Sequence, residues 1–203
     1  EPSAVPAPAA NAWECRPGAK PLADWLAKHP EAPLAGLFEA PDRLYLAPAG
    51  EPAVFRIQPR RDAAVLAEWW RAKSPKPSHR LKPLLRESDP GPAGGPVQDV
   101  ELMHYLVFPQ VEDHSLERIA LDVTSRSLPP LPSGKGRAEP LLETPADEAT
   151  LWGPRLAAVH AVAGGLKEKL RELGLEGVHN DIDLPLVPIL AAMERAGVLL
   201  DTA

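Results

Sequence analysis

The chain has 203 residues, enough for one large domain or one and a half small ones, and its single cysteine excludes an internal disulfide. Acidic residues outnumber basic ones, 28 to 22, for a net charge of -6. Domains that bind nucleic acid unaided usually present a basic face, so this balance argues against autonomous tight DNA binding. No apolar stretch is long enough for a membrane span and the N-terminus has no signal-peptide pattern, so we expect a soluble, cytoplasmic protein.

The first third of the chain alternates helix and strand signals. Residues 1–19 are rich in Pro and Ala and predict a flexible linker, in which Cys15 is a bystander thiol. Residues 21–30 have apolar side chains at helical spacing, and Pro30 marks the end of that helix. The apolar run 33–40 and residues 43–57, with a turn at Ala49-Gly50, predict a small antiparallel set of strands.

Residues 60–74 predict an amphipathic helix with Ala64, Val65 and Trp69 on one side. Trp69 and Trp70 could stack on nucleobases, as in proteins that bind single strands. Neighbours on a helix point about 100° apart, however, so we expect one indole in the core and the other at its rim.

The middle of the chain predicts short elements separated by loops. Residues 79–88 read as the end of a strand followed by a short helix, and 86–98 as a loop. Residues 97–109 predict a helix with Val100, Met103, His104 and Val107 on one side. Residues 112–123 predict a second helix, which begins with acidic and Ser residues and turns Leu116, Ile119 and Ala120 toward the core.

The last third is predominantly helical. Residues 125–148 are the least regular internal stretch, and a helix is predicted from Glu148 to about Leu173, followed by a C-cap at Gly174. Residues 180–201 predict a helix that begins at Asp181 or Asp183 and ends at Gly197. The order of the elements indicates an α/β fold with helices dominating the second half.

Two segments carry a resemblance to a known family. DIDLPLVPILAAMERAGVLLD (181–201) resembles the passage of family A DNA polymerases that joins the exonuclease domain to the polymerase thumb. DVELMHYLVFPQVEDHSLERIAL (99–121) is similar to two consecutive helices of that exonuclease domain. Ordinary packed helices are the alternative for both. The resemblance implies a ribonuclease H-like, DEDD-exonuclease-like mixed sheet flanked by helices, with residues 1–19 as linker, 20–178 as the exonuclease-like domain and 179–203 as a connecting helix.

The same resemblance implies that the metal-binding carboxylates are lost. The family's first strand carries Asp-x-Glu, and this chain has Leu37 and Glu39 there. Its Asn-Leu-Lys-Tyr-Asp segment matches residues 80–84, which puts Leu84 in place of the Asp. Its Tyr-x-x-x-Asp helix matches residues 152–156, which puts Leu156 in place of the last Asp. A site for two divalent cations requires oxygen ligands, which leucine does not provide.

Other polar side chains could in principle replace the missing carboxylates as metal ligands. The acids and histidines Asp99, Glu101, His104, Asp113 and His114 form a metal-like cluster in the sequence, but Asp99 and His104 point about 140° apart on a helix. Helix caps and surface groups are therefore the expected roles of this cluster. Three further histidines have no ligand spacing: His79, His160 and His179. Two clusters of basic residues are interpreted as solvated surface: Arg56, Arg60 and Arg61; and Lys73, Lys76, Arg80 and Lys82.

The functional hypothesis is a catalytically inactive 3′–5′ exonuclease-like domain that supports the polymerase domain of the same protein. No metal or cofactor is expected in this chain, and magnesium would act in the polymerase domain. DNA would be bound through that longer protein. Two alternatives stay open: an active metal-dependent nuclease with relocated ligands, and a stand-alone protein-interaction module. An apolar surface exposed in the isolated chain is also expected to drive self-association.

Overall fold

The computed structural model describes residues 13–128, 131 and 145–197. Its strands are β1 (Glu14–Pro17), β2 (Leu34–Ala40), β3 (Arg43–Pro48), β4 (Ala53–Ile57), β5 (Lys76–His79) and β6 (Val97–Asp99). Its helices are α1 (Ala19–Lys28), α2 (Ala63–Arg71), α3 (Leu81–Glu87), α4 (Val100–Val107), α5 (Leu116–Thr124), α6 (Pro145–Glu172), a π-helix (Val178–Asp183) and α7 (Leu184–Ala196). None of these helices is both long and apolar enough to cross a membrane.

The six strands form one mixed sheet in the order β1-β4-β3-β2-β5-β6. Strands β2, β3 and β4 are antiparallel neighbours, as predicted, while β5 pairs parallel with β2 and β6 parallel with β5. In the central strand β2, residues 34–38 are all buried. A strand covered on both faces needs apolar residues at every position, which explains the continuous run rather than an alternating one.

Helices pack on both faces of the sheet and divide the apolar interior in two. The first core lies under α4, α5 and α6 and includes Ala35 and Leu37 of β2. The second core lies under α1, α2, α3 and α7 and includes Leu34 and Phe38 of the same strand. Because successive side chains of a strand point to opposite faces, this assignment follows directly from the register of β2. The predicted mixed α/β fold is confirmed.

The long helix α6 lies across the first face and contacts strands β1 to β5. Close approach is possible at Gly153, where an added Cβ would collide with the indole ring of Trp13. The predicted extent of α6, through Pro154 and ending near Leu173 with Gly174 after it, is confirmed, although the helix begins earlier, at Pro145. Most of the irregular stretch predicted for 125–148 lies outside the described residues.

The prediction that residues 1–19 are unstructured is wrong for residues 14–17 and for Ala19, the first residue of α1. Strand β1 pairs parallel with β4, with Glu14 opposite Ala53 and Pro17 opposite Arg56. The side chains of Trp13 and Cys15 are buried against the first core. Residues 1–12 lie outside the described part of the chain.

Three local predictions also differ from the structure. Residues 97–99 form strand β6 instead of the first turn of a helix. The start of the last helix has no N-cap, because the π-helix continues into α7 and Asp183 keeps a helical backbone without a capping hydrogen bond. On α2, Ala64 is exposed, while Leu66 is buried beside Val65. The predicted end at Gly197 is confirmed by its positive φ of 73°.

Candidate functional site

The candidate cleft lies at the carboxyl ends of β2 and β5, where these parallel strands meet below α4, α5 and α6. Leu37 of β2 is directly opposite His79 of β5. Ligand sites of α/β sheets form outside the carboxyl ends of parallel strands, so this is where a catalytic group would be expected.

Two of the four predicted carboxylate positions come together in the first core. Leu37 is 4% exposed and Leu156, on α6, is 0% exposed. Both belong to the apolar cluster in which Trp152 stacks on Tyr45, with ring centroids 4.7 Å apart. Hydrocarbon side chains have no lone pairs for a cation, so these two positions contribute packing and no ligand.

Leu84 does not join them. It lies on α3 and is buried in the second core, where α3 packs against α7. The residue before α3, Arg80, has a left-handed backbone with φ 62° and donates from its guanidinium to the backbone oxygen of Glu39 at 3.1 Å. An arginine thus connects the carboxyl end of β2 to the start of α3.

Glu39 is the one carboxylate among the four positions. Its Oε2 is 2.5 Å from Nε of Arg43, the first residue of β3. A carboxylate already neutralised by an arginine is a weak ligand for a second cation, and a two-metal site would need further oxygen donors around it. The donor set of the cleft therefore does not fit the pair of metal ions that the family resemblance would imply.

A partly buried ion pair occupies the neighbouring part of α6. Arg155, which directly precedes Leu156, is 1% exposed and donates to Oε1 of Glu117 on α5 at 3.0 Å. The same guanidinium donates to the backbone oxygen of Leu151 at 3.0 Å and lies 5.8 Å from the ring centre of Trp152. Sequence reasoning missed this pair, although Arg155 is the one charged residue between positions 149 and 166.

His79 is also buried in the cleft. Burial lowers its pKa, and the nearby carboxylates of Glu101 and Glu117 oppose that shift only in part. The imidazole is therefore neutral at pH 7. Its Nε2 has no hydrogen-bond partner among the residues that the structure describes.

Of the acidic members of the sequence cluster, Asp99 caps α4, as predicted, whereas Asp113 lies two residues before Ser115, which is the N-cap of α5. One carboxylate oxygen of Asp99 accepts from the backbone N–H of Glu101 at 3.0 Å and of Leu102 at 3.4 Å, at the start of α4. Burial, aided by the charge of Glu101, raises the pKa of Asp99 to about 7. Asp113 accepts from the backbone N–H of Ser115 at 2.9 Å.

His104 of that cluster is not a surface group, and His114 is partly buried beside it. His104 is fully buried, and its Nδ1 lies 2.8 Å from Nδ1 of His114. Its Nε2 lies 3.2 Å from Oδ2 of Asp122, which the sequence analysis did not single out. Burial lowers the pKa of His104. In the described part of the chain, no three His, Cys, Asp or Glu side chains are placed to hold one metal ion.

The two tryptophans of α2 are both core residues. Trp69 is 0% and Trp70 3% exposed, and Nε1 of Trp70 donates to the backbone oxygen of Gly91 at 2.8 Å. The expectation that one indole lies at the rim is wrong, because the β5–β6 connection covers Trp70. Neither ring is available to stack on a base.

Cys15 is part of a buried polar network and is not a bystander. Its Sγ lies 3.3 Å from Oε2 of Glu148, on α6. The same carboxylate accepts from Arg56 at 2.8 Å and from the Tyr45 hydroxyl at 3.4 Å. Burial and the adjacent carboxylate raise the pKa of the Cys15 thiol to about 12, so it is a poor nucleophile.

Many residues of the two basic clusters make internal bonds. Arg60 is paired with Glu87 at 2.8 Å, and Lys82 with Glu194 at 2.8 Å. Lys76 is fully buried, donates to the backbone oxygens of Ala72 and Ser74, and has its pKa lowered to about 8 by burial. The interpretation as solvated surface is wrong for Lys76.

The remaining two histidines are structural. Nε2 of His160, on α6, lies 2.9 Å from the backbone oxygen of Ala47, and burial lowers its pKa. His179 lies in the π-helix, is 4% exposed and pairs through Nδ1 with the side-chain oxygen of Asn180 at 2.9 Å.

Solved structures provide the comparison. The chain is similar to the polymerase domain of Pol1 from M. smegmatis in complex with DNA primer-template and dNTP, with a TM-score of 0.64 and 24% identity over 92% of this chain. The chain spans 33% of that polymerase chain. No protein-family model and no curated protein matches it.

Nucleases are similar at lower identity. The apo form of one nuclease matches with a TM-score of 0.64 and 15% identity, over 92% of this chain and 95% of its own. NrnC of Brucella melitensis bound to pGG matches with a TM-score of 0.64 and 15% identity, over 85% of this chain and 89% of its own. The six-stranded mixed sheet between two helical layers is a ribonuclease H-like, DEDD-exonuclease-like fold.

Proposed function

We propose that this chain is a catalytically inactive 3′–5′ exonuclease-like domain that serves as the structural platform of a family A DNA polymerase. One observation carries the proposal: Leu37 and Leu156 are packed into one apolar core where a nuclease of this fold would need metal-binding carboxylates. With Glu39 as the single carboxylate among the four aligned positions, the cleft lacks the set of oxygen ligands that two-metal activation of water requires.

The surroundings of these leucines support the same conclusion. Two ion pairs lie near the cleft, Arg43 with Glu39 and Arg155 with Glu117. Paired in this way, the carboxylates stabilise neighbouring elements of the chain. Leu37 and Leu156 are therefore part of the interior and offer no ligand to a metal ion that would bind a 3′ end.

A nuclease assay tests the inactivity. We expect no shortening of a 5′-labelled single-stranded DNA when the chain is incubated with Mg²⁺ or Mn²⁺. The informative variants are Asp99→Asn, which keeps the helix cap while removing the charge, and Asp113→Asn. Metal-dependent shortening that either variant abolishes would revive the rival hypothesis of a nuclease with relocated ligands.

The polymerase context is supported by the similarity to Pol1, in which a chain three times as long carries this fold. In that context magnesium and DNA would be bound by the polymerase domain. The coding sequence downstream of residue 203 is the test. Polymerase motifs in that sequence are expected, and a stop codon directly after residue 203 would favour the stand-alone interaction module.

A further inference from the structure

Three histidines connect the carboxyl end of β5 to helices α4 and α5. His79 of β5 and His104 of α4 are buried, and His114 lies between them in the connection from α4 to α5. The backbone of His114 forms a hydrogen bond with the side chain of His79, and its imidazole contacts that of His104. Asp122 of α5 completes the series at the other ring nitrogen of His104.

The contact between the two histidine rings fixes where their protons lie. The Nδ1 atoms of His104 and His114 are 2.8 Å apart, and a hydrogen bond at this distance needs one donor and one acceptor. Arg118 donates to Asp122 at 2.7 Å and holds the pKa of that carboxyl below its usual range, so Asp122 is ionised at pH 7 and only accepts. Nε2 of His104 therefore carries a hydrogen, its Nδ1 accepts when the ring is neutral, and Nδ1 of His114 donates to it.

The pair can carry one additional proton but not two. When His114 is charged, its Nδ1–H still donates to the unprotonated Nδ1 of His104, so the first charge leaves the contact in place. A second proton would go to Nδ1 of His104 and set two N–H groups against each other at 2.8 Å. The two positive charges would also repel, and the repulsion is stronger away from water because His104 is fully buried.

The surroundings of His104 resist this second proton. Burial lowers the pKa of His104 from its ordinary value of 6.5, while the hydrogen bond to Asp122 opposes the shift and the charge of His114 adds to it. Lys169 of α6 brings further positive charge, 5.2 Å from the ring centre of Phe108, which packs on His104. The unfolded chain binds this proton at a higher pH than the folded chain, so a pH below 6.5 favours any state in which His104 is released.

The other charged groups around α4 act on the remaining histidines or lie farther round the helix. Asp113 interacts with the charge of His114 and so favours the first proton on that ring. Burial lowers the pKa of His79, whose charged neighbours are Glu101, Glu117 and Arg80. On the Met103 side of α4, the titratable groups that line a cavity are Lys167, Glu176 and His179. Within the pair, His114 is therefore charged first and His104 second.

We propose that the His104–His114 contact is an acid-sensitive switch, which holds the α4–α5 connection against β5 near neutral pH and releases it once both imidazoles are charged. Release moves the backbone of His114, and with it the hydrogen-bond partner of His79 at the carboxyl end of β5. The switch thus joins the protonation of a partly exposed histidine to the shape of the candidate cleft. It is independent of the proposed function, since it needs only these rings and their protons.

Nuclear Overhauser effects between aromatic rings of the 203-residue chain test the release. At about pH 7.5 we expect a signal between His104 and His114, whose ring centres are 5.0 Å apart. The signal should disappear over the pH range in which both histidines become charged. The signal between Tyr45 and Trp152, 4.7 Å apart in the first core, should persist and so exclude global unfolding. A His104–His114 signal that survives with both rings charged overturns the proposal, as does its loss only together with the Tyr45–Trp152 signal.

The variant His114→Asn separates a switch from a merely structural contact. The Asn amide can donate to the neutral ring of His104 or, after rotation, accept from the charged ring, and it does not titrate. We expect the NMR titration of His104 to move to higher pH in this variant, because the competing charge and the fixed donor are gone. His29→Asn, at an exposed histidine after α1, is the matched control and should leave the titration of His104 unchanged. An unchanged titration in His114→Asn would mean that the two rings do not compete for a proton, and would overturn the proposal.

Discussion

At the scale of single residues, substitutions of Leu156 test whether this side of the cleft belongs to the buried core. Leu156→Asp places a carboxylate at a fully buried position without a hydrogen-bond partner designed for it. We expect a loss of about 3–5 kcal/mol in the free energy of unfolding, measured with urea. Leu156→Met, which keeps volume and polarity, should cost under about 1.5 kcal/mol. An Asp variant as stable as the parent would mean that the position is open to solvent or to cations.

Asp99 should give the protein a defined pH dependence. Burial raises its pKa from 3.8 to about 7 in the folded state, so between these values the folded chain holds a proton that the unfolded chain has lost. Asp99 therefore contributes its full stabilisation to the folded state below about pH 4, and this contribution disappears as the pH rises to about 7. The free energy of unfolding changes by at most about 4 kcal/mol over this range.

The variant Asp99→Asn isolates this effect, because Asn is an equally good N-cap and does not titrate. Urea unfolding at about pH 4.5 and pH 8 should show that the variant gains stability relative to the parent at the higher pH. Equal differences at both pH values would mean that the folded-state pKa of Asp99 is ordinary.

At the scale of elements, the helices were predictable and the edge strands were not. The inward positions of α1 and α5 follow from their 3.6-residue periodicity, and the continuous apolar run of β2 identifies a central strand. Strands β1 and β6 have only four and three residues, and Pro and polar residues dilute their pattern. What orders them is pairing with β4 and β5, a long-range contact that no local pattern encodes.

The candidate site, too, was predictable from the sequence only in part. The proposed replacement of carboxylates by leucines rests on the aligned sequence segments, which do not indicate which core each leucine joins, as Leu84 demonstrates. The Arg155–Glu117 pair and the contact of Cys15 with Glu148 connect residues 38 and 133 positions apart. Their partners are set by how α6 crosses the sheet, so sequence spacing could not identify them.

Helix α6 offers a matched pair of glycines that tests its packing. Gly153 lies against the indole of Trp13, whereas nothing lies within 4 Å of the position of a Cβ at Gly164. Replacing Gly by Ala in a helix gains about 1 kcal/mol when there is space. We expect Gly164→Ala to stabilise the protein by that amount, and Gly153→Ala to destabilise it by about 1–3 kcal/mol through overpacking.

Thermal and urea unfolding of both variants provide the measurement. If the two substitutions had the same sign, β1 would not be held against α6 as the structure shows. Gly153→Ala combined with Trp13→Ala should cost less than the sum of the two single changes, because removing the indole removes the collision.

At the scale of the whole molecule, charge determines how strongly the chain binds DNA. The net charge is -6, and several basic side chains are committed internally, as in the pairs Arg56–Glu148, Arg60–Glu87 and Lys82–Glu194. Nonspecific affinity for DNA comes from basic residues that displace counterions from phosphates. We expect fluorescence anisotropy with a labelled single strand at about 150 mM salt to show a Kd weaker than about 100 µM. Low-micromolar binding with a steep salt dependence would contradict this expectation. In that case Arg61 and Lys73 would be the candidate phosphate contacts, and replacing either by Ala should reduce the salt slope by about one.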